Sequence, residues 1–405
     1  MDLIVQKYGG SSVADAAKIK NVARRIVKTR KAGFQVVVVV SAMGDTTDSL
    51  VKLAYDINEH PDMREFDVLL STGEVVSSTL LAMALHGMGC PAISLSGAQA
   101  GITTDAVYNQ ARITNMNPVR VSRELEKGNI VIVAGFQGIT EDMDITTLGR
   151  GGSDTTAVAL AASLQAIRCE RYTDVDGIYT ADPRFIPEAR KLSEISYEEM
   201  LEMASYGSKA IHPRAVELGE LFRVPILVAS SFNDNPGTLI REEVSMEVRN
   251  KVRGITHDLD VAKIMVAGVP DKPGIASAIF VPLAEAGISV DTIVQNASIE
   301  NITDLTFTVT RGELKKAMEV IEPVVASIGA RECLSDSTLG KVSIIGTGMQ
   351  NSPGYASRMF STLSRENINI ELISTSEIRI TCIIEESRVT DAVRALHRAF
   401  EMEIS

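Results

Sequence analysis

Two glycine-rich segments hold the chemistry this sequence can perform. Lys7-Tyr8-Gly9-Gly10-Ser11-Ser12 follows the apolar run Leu3-Ile4-Val5, and Gly149-Arg150-Gly151-Gly152-Ser153-Asp154 precedes a helix-like run from Thr155 to Leu164. Glycines at a strand-to-helix turn let backbone N–H groups approach an anion, and the helix N-terminus adds partial positive charge. Lys7 or Arg150 supplies a full charge. Both segments therefore read as phosphate cradles. Neither is a Walker A loop, Gly-x-x-x-x-Gly-Lys-Ser/Thr, because Lys7 precedes its glycines. One such turn alone would be an ordinary connection; two, each with a placed cation, point to a bound polyanion.

The elements that must position these segments alternate short β-branched runs with helical patterns over the first 230 or so residues, which predicts an α/β domain on a largely parallel sheet. Strands are expected at Leu3–Gln6, Val36–Val40, Ala92–Leu95, Ile130–Val133, Arg168–Thr173 and Pro225–Val228. Ala16, Ile19, Val22, Ala23, Ile26 and Val27 recur at helical spacing, as do Val75, Val76, Thr79, Leu80 and Met83. Ligands of such sheets sit at the carboxyl ends of the strands. Lys7, Ser41, Ser96-Gly97, Gly135 and Asp174 are expected there, each just after a strand, and Asn233-Asp234-Asn235-Pro236-Gly237 reads as a turn closing the unit.

The last third contains an internal repeat. Pro273-Gly274 recurs as Pro353-Gly354, Ala276 as Ala356, Phe280 as Phe360, Leu283 as Leu363, Ile288 as Ile368 and Ile293 as Ile373, all at one constant offset. Strand-like runs precede each Pro-Gly, at Lys263–Val266 and Lys341–Ile345. Later strands are expected at Asp304–Val309 and Glu377–Ile384, and helices at Leu314–Ile328 and Val389–Phe400. The repeat is thus a pair of small α+β modules.

With 405 residues the chain suggests two or three domains, and 45% apolar residues suit a globular protein. A net charge of −12 argues against nucleic acid or an anionic membrane as the main partner. Apolar runs such as Val36–Val40 are too short to span a bilayer, and the N-terminus lacks the regions of a signal peptide, so a cytoplasmic protein is expected. Cys90, Cys169, Cys333 and Cys382 are far apart, with neither a disulfide framework nor a metal-ligand cluster among them.

Taken together, these motifs resemble the aspartate kinases of the amino acid kinase family, which carry two ACT regulatory domains. Besides the two glycine-rich segments, the resemblance rests on Ser41-Ala42-Met43-Gly44-Asp45-Thr46-Thr47-Asp48, Ser71-Thr72-Gly73-Glu74, the run from Tyr172 to Arg184, and Gly207-Ser208-Lys209-Ala210-Ile211-His212-Pro213. It covers essentially the whole chain. It implies an α/β amino acid kinase fold with a largely parallel central sheet, followed by two α+β, ferredoxin-like ACT domains. The expected boundaries are 1–245 for the catalytic domain, 246–262 for a linker, 263–335 for the first ACT domain and 336–405 for the second. No homoserine dehydrogenase domain is expected after Ser405.

The activity implied is transfer of the γ-phosphoryl group of ATP, with Mg2+, to the β-carboxylate of L-aspartate, the first step of lysine, threonine and methionine biosynthesis. By matching position, Lys7 and Asp154 would be catalytic, Lys7 spanning the transferred group and Asp154 holding Lys7 and organising the metal-bound phosphates. Aspartate would meet Ser41, Asp45, Thr46, Thr47, Glu74, Arg150, Gly151, Gly152 and Ser153, with Arg150 on its α-carboxylate and Glu74 on its α-ammonium. The nucleotide would meet Lys7, Tyr8, Gly9, Gly10, Ser153, Thr173, Asp174, Tyr179, Asp182, Arg184 and Lys209. His212 next to Pro213 reads as structural. A related carboxylate or phosphate kinase, such as an acetylglutamate or uridylate kinase, and a catalytically inactive amino-acid sensor are the rival readings. Glu74 and Arg150 speak against the first, and Lys7 with Asp154 against the second.

The ACT pair implies feedback inhibition by lysine, threonine or both, with threonine at the first site preferred. One effector site would lie around Asp271, Ser289, Val290, Asp291 and Gln295. A second would involve Ser352, Tyr355, Ala356, Asn369, Ile370, Ser376 and Glu377. Dimerisation through the ACT domains is expected. An internal start at Met246 would add a shorter subunit, although an ordinary linker methionine is the preferred reading.

Overall fold

The computed structural model describes residues 1–242, 252–296, 301–350 and 352–403. They divide into two units: 1–179 with 191–242, and 180–190 with 252–403.

The first unit begins β1 (Leu3–Tyr8), α1 (Ala16–Lys31), β2 (Gln35–Val40), α2 (Thr46–Ile57), α3 (Met63–His86) and β3 (Ala92–Leu95). It continues β4 (Ile102–Thr104), β5 (Ile113–Met116), α4 (Val119–Glu126), β6 (Ile130–Ala134), β7 (Gln137–Ile139), β8 (Ile145–Thr147), α5 (Gly152–Ser163) and β9 (Arg168–Thr173). After the excursion of 180–190 come β10 (Glu194–Ile195), α6 (Tyr197–Ser205), α7 (Pro213–Leu221), β11 (Ile226–Ser230) and β12 (Thr238–Ile240).

Eight strands form the main sheet in the order β10-β12-β11-β9-β1-β2-β6-β3, parallel from β11 to β3. All six strands expected from the sequence are in it. Val36 to Val40 are fully buried, as a strand covered on both faces requires. Ile19, Val22, Ala23 and Ile26 of α1 and Leu81 and Leu85 of α3 pack with Tyr8, Val36, Val38 and Val40 on one face. Helix α5 packs on the other face, against β1, β2 and β9. It is buried all round, and its small side chains (Ala157, Ala159, Ala161) let it lie close to the sheet while α7 covers its outer side.

Several expectations are corrected here. Lys7 lies inside β1, not after it, because the ladder continues to Tyr8 through partners on β2 and β9. The helix carrying Val75, Val76, Leu80 and Met83 exists, but that stripe faces outward. Its buried face carries Leu70, Ser71, Glu74, Ser77, Ser78, Leu81 and Leu85. Although α3 is long and apolar enough to cross a membrane by length and composition, half of that window is buried in the protein. The cluster from Asn233 to Gly237 turns a hairpin into β12 before the unit ends. A second sheet, β5-β4-β7-β8, escaped the sequence reading because its strands are only three or four residues long.

The second unit contains β13 (Gly254–Pro270), α8 (Ile275–Glu285), β14 (Ile293–Gln295), β15 (Ile302–Val309), α9 (Leu314–Ile328), β16 (Glu332–Ile345), α10 (Tyr355–Arg365), β17 (Leu372–Thr375), β18 (Arg379–Glu385) and α11 (Val389–Ala399). The repeat is visible in space: Gly274 and Gly354 both take left-handed φ, 94° and 105°, at the starts of α8 and α10. That conformation is the reason for glycine at both positions. The two modules form one six-stranded sheet, β14-β15-β13-β16-β18-β17.

Two expected boundaries therefore fail. Residues 254–262 are strand, not linker, and the division at 335/336 falls inside β16. The long strands β13 and β16 pair antiparallel from Gly254↔Ile345 to Ala267↔Glu332, so each serves both modules. Ile255 of β13 packs in the core of the second module with Val342, Ile344 and Leu396. Residues 180–190, expected in the catalytic domain, belong to this unit too. Ala181 and Ile186 join the same core, and Thr180 Oγ1 lies 3.0 Å from His397 Nε2. Met246 lies outside the described residues.

Two ion pairs repeat the internal symmetry. Lys341 pairs with Asp291, and Lys263 Nζ lies 2.9 Å from Glu371 Oε2, so each module's lysine holds the other module's carboxylate. The Lys341 side chain is 8% exposed and that of Lys263 is 20% exposed. Breaking the more buried pair should cost more, because a buried charge is left with less water to replace its partner. Lys341→Met is expected to destabilise by about 2 kcal/mol and Lys263→Met by less than about 1 kcal/mol. Urea unfolding of the two variants checks the order, and equal losses would refute it.

Candidate active site

The centre of the first unit is a buried carboxylate between two cations. Lys7 Nζ lies 2.6 Å from Asp154 Oδ1, and Arg171 Nε lies 2.9 Å from Asp154 Oδ2. The parallel register sets Lys7 of β1 beside Arg171 of β9, so both side chains leave the sheet on the face covered by α5. Asp154 sits in the first turn of α5, where a negative charge is favoured by the helix dipole. Burial pushes the Asp154 carboxyl up, but Arg171 and Lys7 together outweigh it and hold the group well below the usual carboxylate range. Burial lowers the Lys7 ammonium, with Asp154 opposing and Arg171 reinforcing the shift.

Glycines leave room around this cluster. A Cβ at Gly9 would lie 3.7 Å from Lys7 Nζ, and one at Gly135 would come 2.9 Å from Ser153 Oγ. Gly151, the residue before α5, has φ of 70° and packs against the His212 ring. His212 Nδ1 accepts from the Arg214 N–H at the start of α7, and burial keeps its pKa low, so it serves as a neutral structural cap. Arg150 is exposed and has no ion pair among the described residues.

The loop after β2 packs on the first glycine-rich segment. Ser41 N–H donates to Tyr8 O, and Gly44 N–H donates to Gly10 O. A Cβ at Gly10 would come 2.9 Å from Ala42 O, so only glycine permits this approach. Gly73 plays the same part in α3, since a Cβ there would lie 2.8 Å from Ala42 Cβ. The close contact brings Glu74 Oε1 within 3.1 Å of the Ala42 N–H, while Oε2 is buried without a partner. Burial, only partly offset by that N–H, pushes the Glu74 carboxyl up to about 7. A buried acceptor of this kind is suited to an incoming ammonium. Asp45 and Thr46 lie where the loop enters α2, with Thr46 Oγ1 donating to Met43 O, and Thr47 follows in its first turn.

Residues 2–230 match the amino acid kinase family, and residues 263–325 and 342–400 each match an ACT domain. An aspartate kinase of Stutzerimonas stutzeri is 51% identical over 405 residues, covering 100% of this chain and 98% of its own. An aspartokinase of Thermus thermophilus is 49% identical and covers 100% of both chains. The chain belongs to the aspartokinases. The crystal structure of aspartate kinase from Synechocystis aligns with a TM-score of 0.56 at 44% identity, covering 98% of this chain and 69% of that one. Escherichia coli aspartokinase III in complex with aspartate and ADP shares the fold, with a TM-score of 0.83 at 23% identity over 98% of this chain and 99% of that one.

The nucleotide residues expected from the aspartokinase resemblance fall in both units. Thr173 and Asp174 lie at the carboxyl end of β9, joined by a 2.9 Å hydrogen bond, and Tyr179 donates to Asp176 at 2.6 Å. Lys209 is exposed in the turn before α7. Tyr8 can offer a ligand only backbone: its ring is fully buried on the opposite face from Lys7, stacked on Tyr172 at 5.0 Å. Asp182 and Arg184 pair with each other at 2.6 Å within the second unit.

The expected effector residues all lie in the second unit. In the first group, Asp271 donates its N–H to Asn301 O, Ser289 and Val290 precede Asp291, which is engaged by Lys341, and Gln295 ends β14. In the second, Tyr355, Ala356 and Ile370 pack against the module core, while Asn369 donates to Glu371 and Gln350 to Glu377. Ser352 and Ser376 lie in the adjoining loops, with Ser376 N–H donating to Arg379 O.

Sequence reasoning missed Arg171 and Asp67. Period-two alternation in β9 would have put Arg171 on the face of Cys169, a charged residue inside a central strand. Asp67 is a fully buried carboxylate in the apolar part of α3. It accepts from the Asn109 and Thr147 N–H groups and from Thr147 Oγ1, all within 3.1 Å, and so ties the helix bearing Glu74 to the strand leading into Arg150.

Two outcomes follow. Asp67→Ala strips three donors of their acceptor and should destabilise the chain by about 3 kcal/mol in urea unfolding. Glu74, raised from 4.5 to about 7, keeps a proton in the folded chain that the unfolded chain has released, so stability falls as pH rises through that window. Glu74→Gln removes the fall. In the absence of ligand the variant should exceed the parent by up to about 3 kcal/mol at pH 8 and by nothing at pH 4. Denaturation at the two pH values checks this, and a gain independent of pH would refute it.

Proposed function

We propose that the pocket around Lys7 and Asp154 transfers the γ-phosphoryl group of ATP to the β-carboxylate of L-aspartate, giving 4-phospho-L-aspartate and ADP. The observation that carries this reading is Lys7 Nζ, buried beside Asp154 under Gly9 near the carboxyl end of β1. A β-carboxylate oxygen attacks the γ-phosphorus, the bond to the β,γ-bridging oxygen breaks, and ADP leaves with that electron pair. The nucleophile is already ionised at neutral pH, so no general base is required. The work of the site is to align two anions and absorb charge on the transferred group. Lys7 and the N–H groups released by Gly9 and Gly10 do the latter, while Asp154 fixes the lysine.

Aspartate is held at its other end. The exposed guanidinium of Arg150 pairs with the α-carboxylate, and the unpartnered Glu74 Oε2 takes the α-ammonium, which draws the Glu74 proton off on binding. Ser41 and Thr47 add hydroxyl donors. No cluster of three or more His, Cys, Asp or Glu side chains suited to a resident metal occurs among the described residues. Each Asp154 oxygen already faces a cation, and Asp174 is exposed at the end of β9. That arrangement fits a Mg2+ carried by the phosphates, which needs only one or two protein oxygens and would be held by Asp174. When bound, it neutralises charge on the β- and γ-phosphate oxygens.

Residues 1–179 with 191–242 form the catalytic unit, and 180–190 with 252–403 form the pair of ACT modules, which share β13 and β16. Lysine, threonine or both act as feedback inhibitors at the ACT modules, threonine first at the group around Asp291, and the modules dimerise. The cysteines are free, as suits a cytoplasmic enzyme.

The direct test is aspartate-dependent ADP release with Mg2+ and ATP, repeated with lysine, threonine and both. Lys7→Met should lower kcat by about 100-fold or more. Turnover with a different carboxylate and none with aspartate would overturn the substrate assignment. Turnover unchanged by either effector would overturn the regulatory one.

A further inference from the structure

Lys7 and Arg171 are charged against a single carboxylate. Each takes one oxygen of Asp154, so the cluster carries two positive charges and one negative. The side chains of Lys7 and Asp154 are 8% and 5% exposed, and that of Arg171 is 13% exposed, so little water compensates the surplus. A lysine paired alone with an aspartate would be neutralised by it. Here the aspartate is divided, and Lys7 keeps charge to offer a third group. In addition, Nη1 of Arg171 is buried without a hydrogen-bond partner. A buried guanidinium N–H is costly to leave unmet. Both features are resolved by the same event, the arrival of an anion.

The strands place Arg171 for this. It stands beside Lys7 in the β1–β9 ladder, and the Gly9 N–H donates to O of its neighbour Tyr172 at 3.3 Å, so the glycine-rich turn and Arg171 are held by the same strand pair. Among the described residues, Lys7 and Arg171 are the two cations paired with Asp154.

We propose that Arg171 is a positioning residue of the phosphoryl-transfer site. By taking one oxygen of Asp154, it orients that carboxylate and leaves Lys7 with uncompensated charge for the polyphosphate. The proposal rests on Lys7 being the phosphate-binding cation.

The test uses the full chain with Arg171→Met, Arg171→Gln and Arg171→Lys. ADP and Mg-ATP binding are measured by calorimetry, together with kcat, both KM values and the melting temperature. The methionine and glutamine variants are expected to bind nucleotide at least about tenfold more weakly and to lose about 10- to 100-fold in kcat, the scale of a lost charge-assisted contact. Their KM for aspartate should stay within about twofold and their melting temperature should not fall, because no buried ion is left without a partner. Arg171→Lys should recover most of the loss. Nucleotide affinity and kcat unchanged in the neutral variants would overturn the proposal, as would a lysine variant no better than they are. A loss confined to melting temperature and aspartate KM would do the same. Lys7→Met separates the two layers: if it loses nucleotide binding while the Arg171 variants do not, only the role of Arg171 fails. If it binds and turns over normally, the reading of Lys7 fails and the proposal falls with it.

Discussion

A carboxylate shared by two cations on neighbouring strands is the constraint around which the catalytic unit is arranged. Asp154 must reach the sheet from the first turn of a helix, and α5 must therefore approach β1 and β9 closely. Its alanine-rich sequence permits that approach, and its complete burial follows from it. The turn before it must reverse direction without a side chain, which Gly151 achieves in a left-handed conformation with the His212 ring against it. The cost of burying three charges is offset by their contacts with one another, and removing Asp154 alone would leave two buried cations without a partner.

The surroundings of Glu74 obey a different rule, that of close backbone approach. Gly10, Gly73 and Gly135 each lie where a methyl group would collide with a neighbour, and together they draw the loop after β2, the helix α3 and the start of α5 into one place. Asp67 fastens the same helix to β8 through two hydrogen bonds from Thr147 and to the loop at Asn109 through a third. Glu74 is held rigidly by one oxygen and left unsatisfied at the other, which makes it a group waiting for a cation.

In the regulatory unit, the two repeats are not beads on a string. Because β13 and β16 run through both modules, neither has a complete sheet without the other, and the two lysine–carboxylate pairs cross the same divide. Residues 180–190 complete the core of the second module. A stretch that leaves and re-enters the catalytic unit along the chain is thus structurally part of the regulatory one.

How much of this was legible differs from element to element. The run of five valines at β2, the glycine-rich turns and the Pro-Gly repeat are local patterns, and local sterics and periodicity were enough to read them. The resemblance added Lys7 and Asp154, and the fold brings them together. The outward stripe of α3 was misread because helical periodicity shows that a face is apolar and not which face meets the core. Arg171 and Asp67 went unnoticed because each looks ordinary among its sequence neighbours and acquires its role from residues 17 or more positions away. The sequence by itself determined the parallel α/β class, the paired modules and the two glycine-rich turns, since these follow from short-range spacing. Only the tertiary structure decided which charges share a carboxylate, which glycines are close contacts and where one module ends, because those depend on distances between strands and helices remote in the chain.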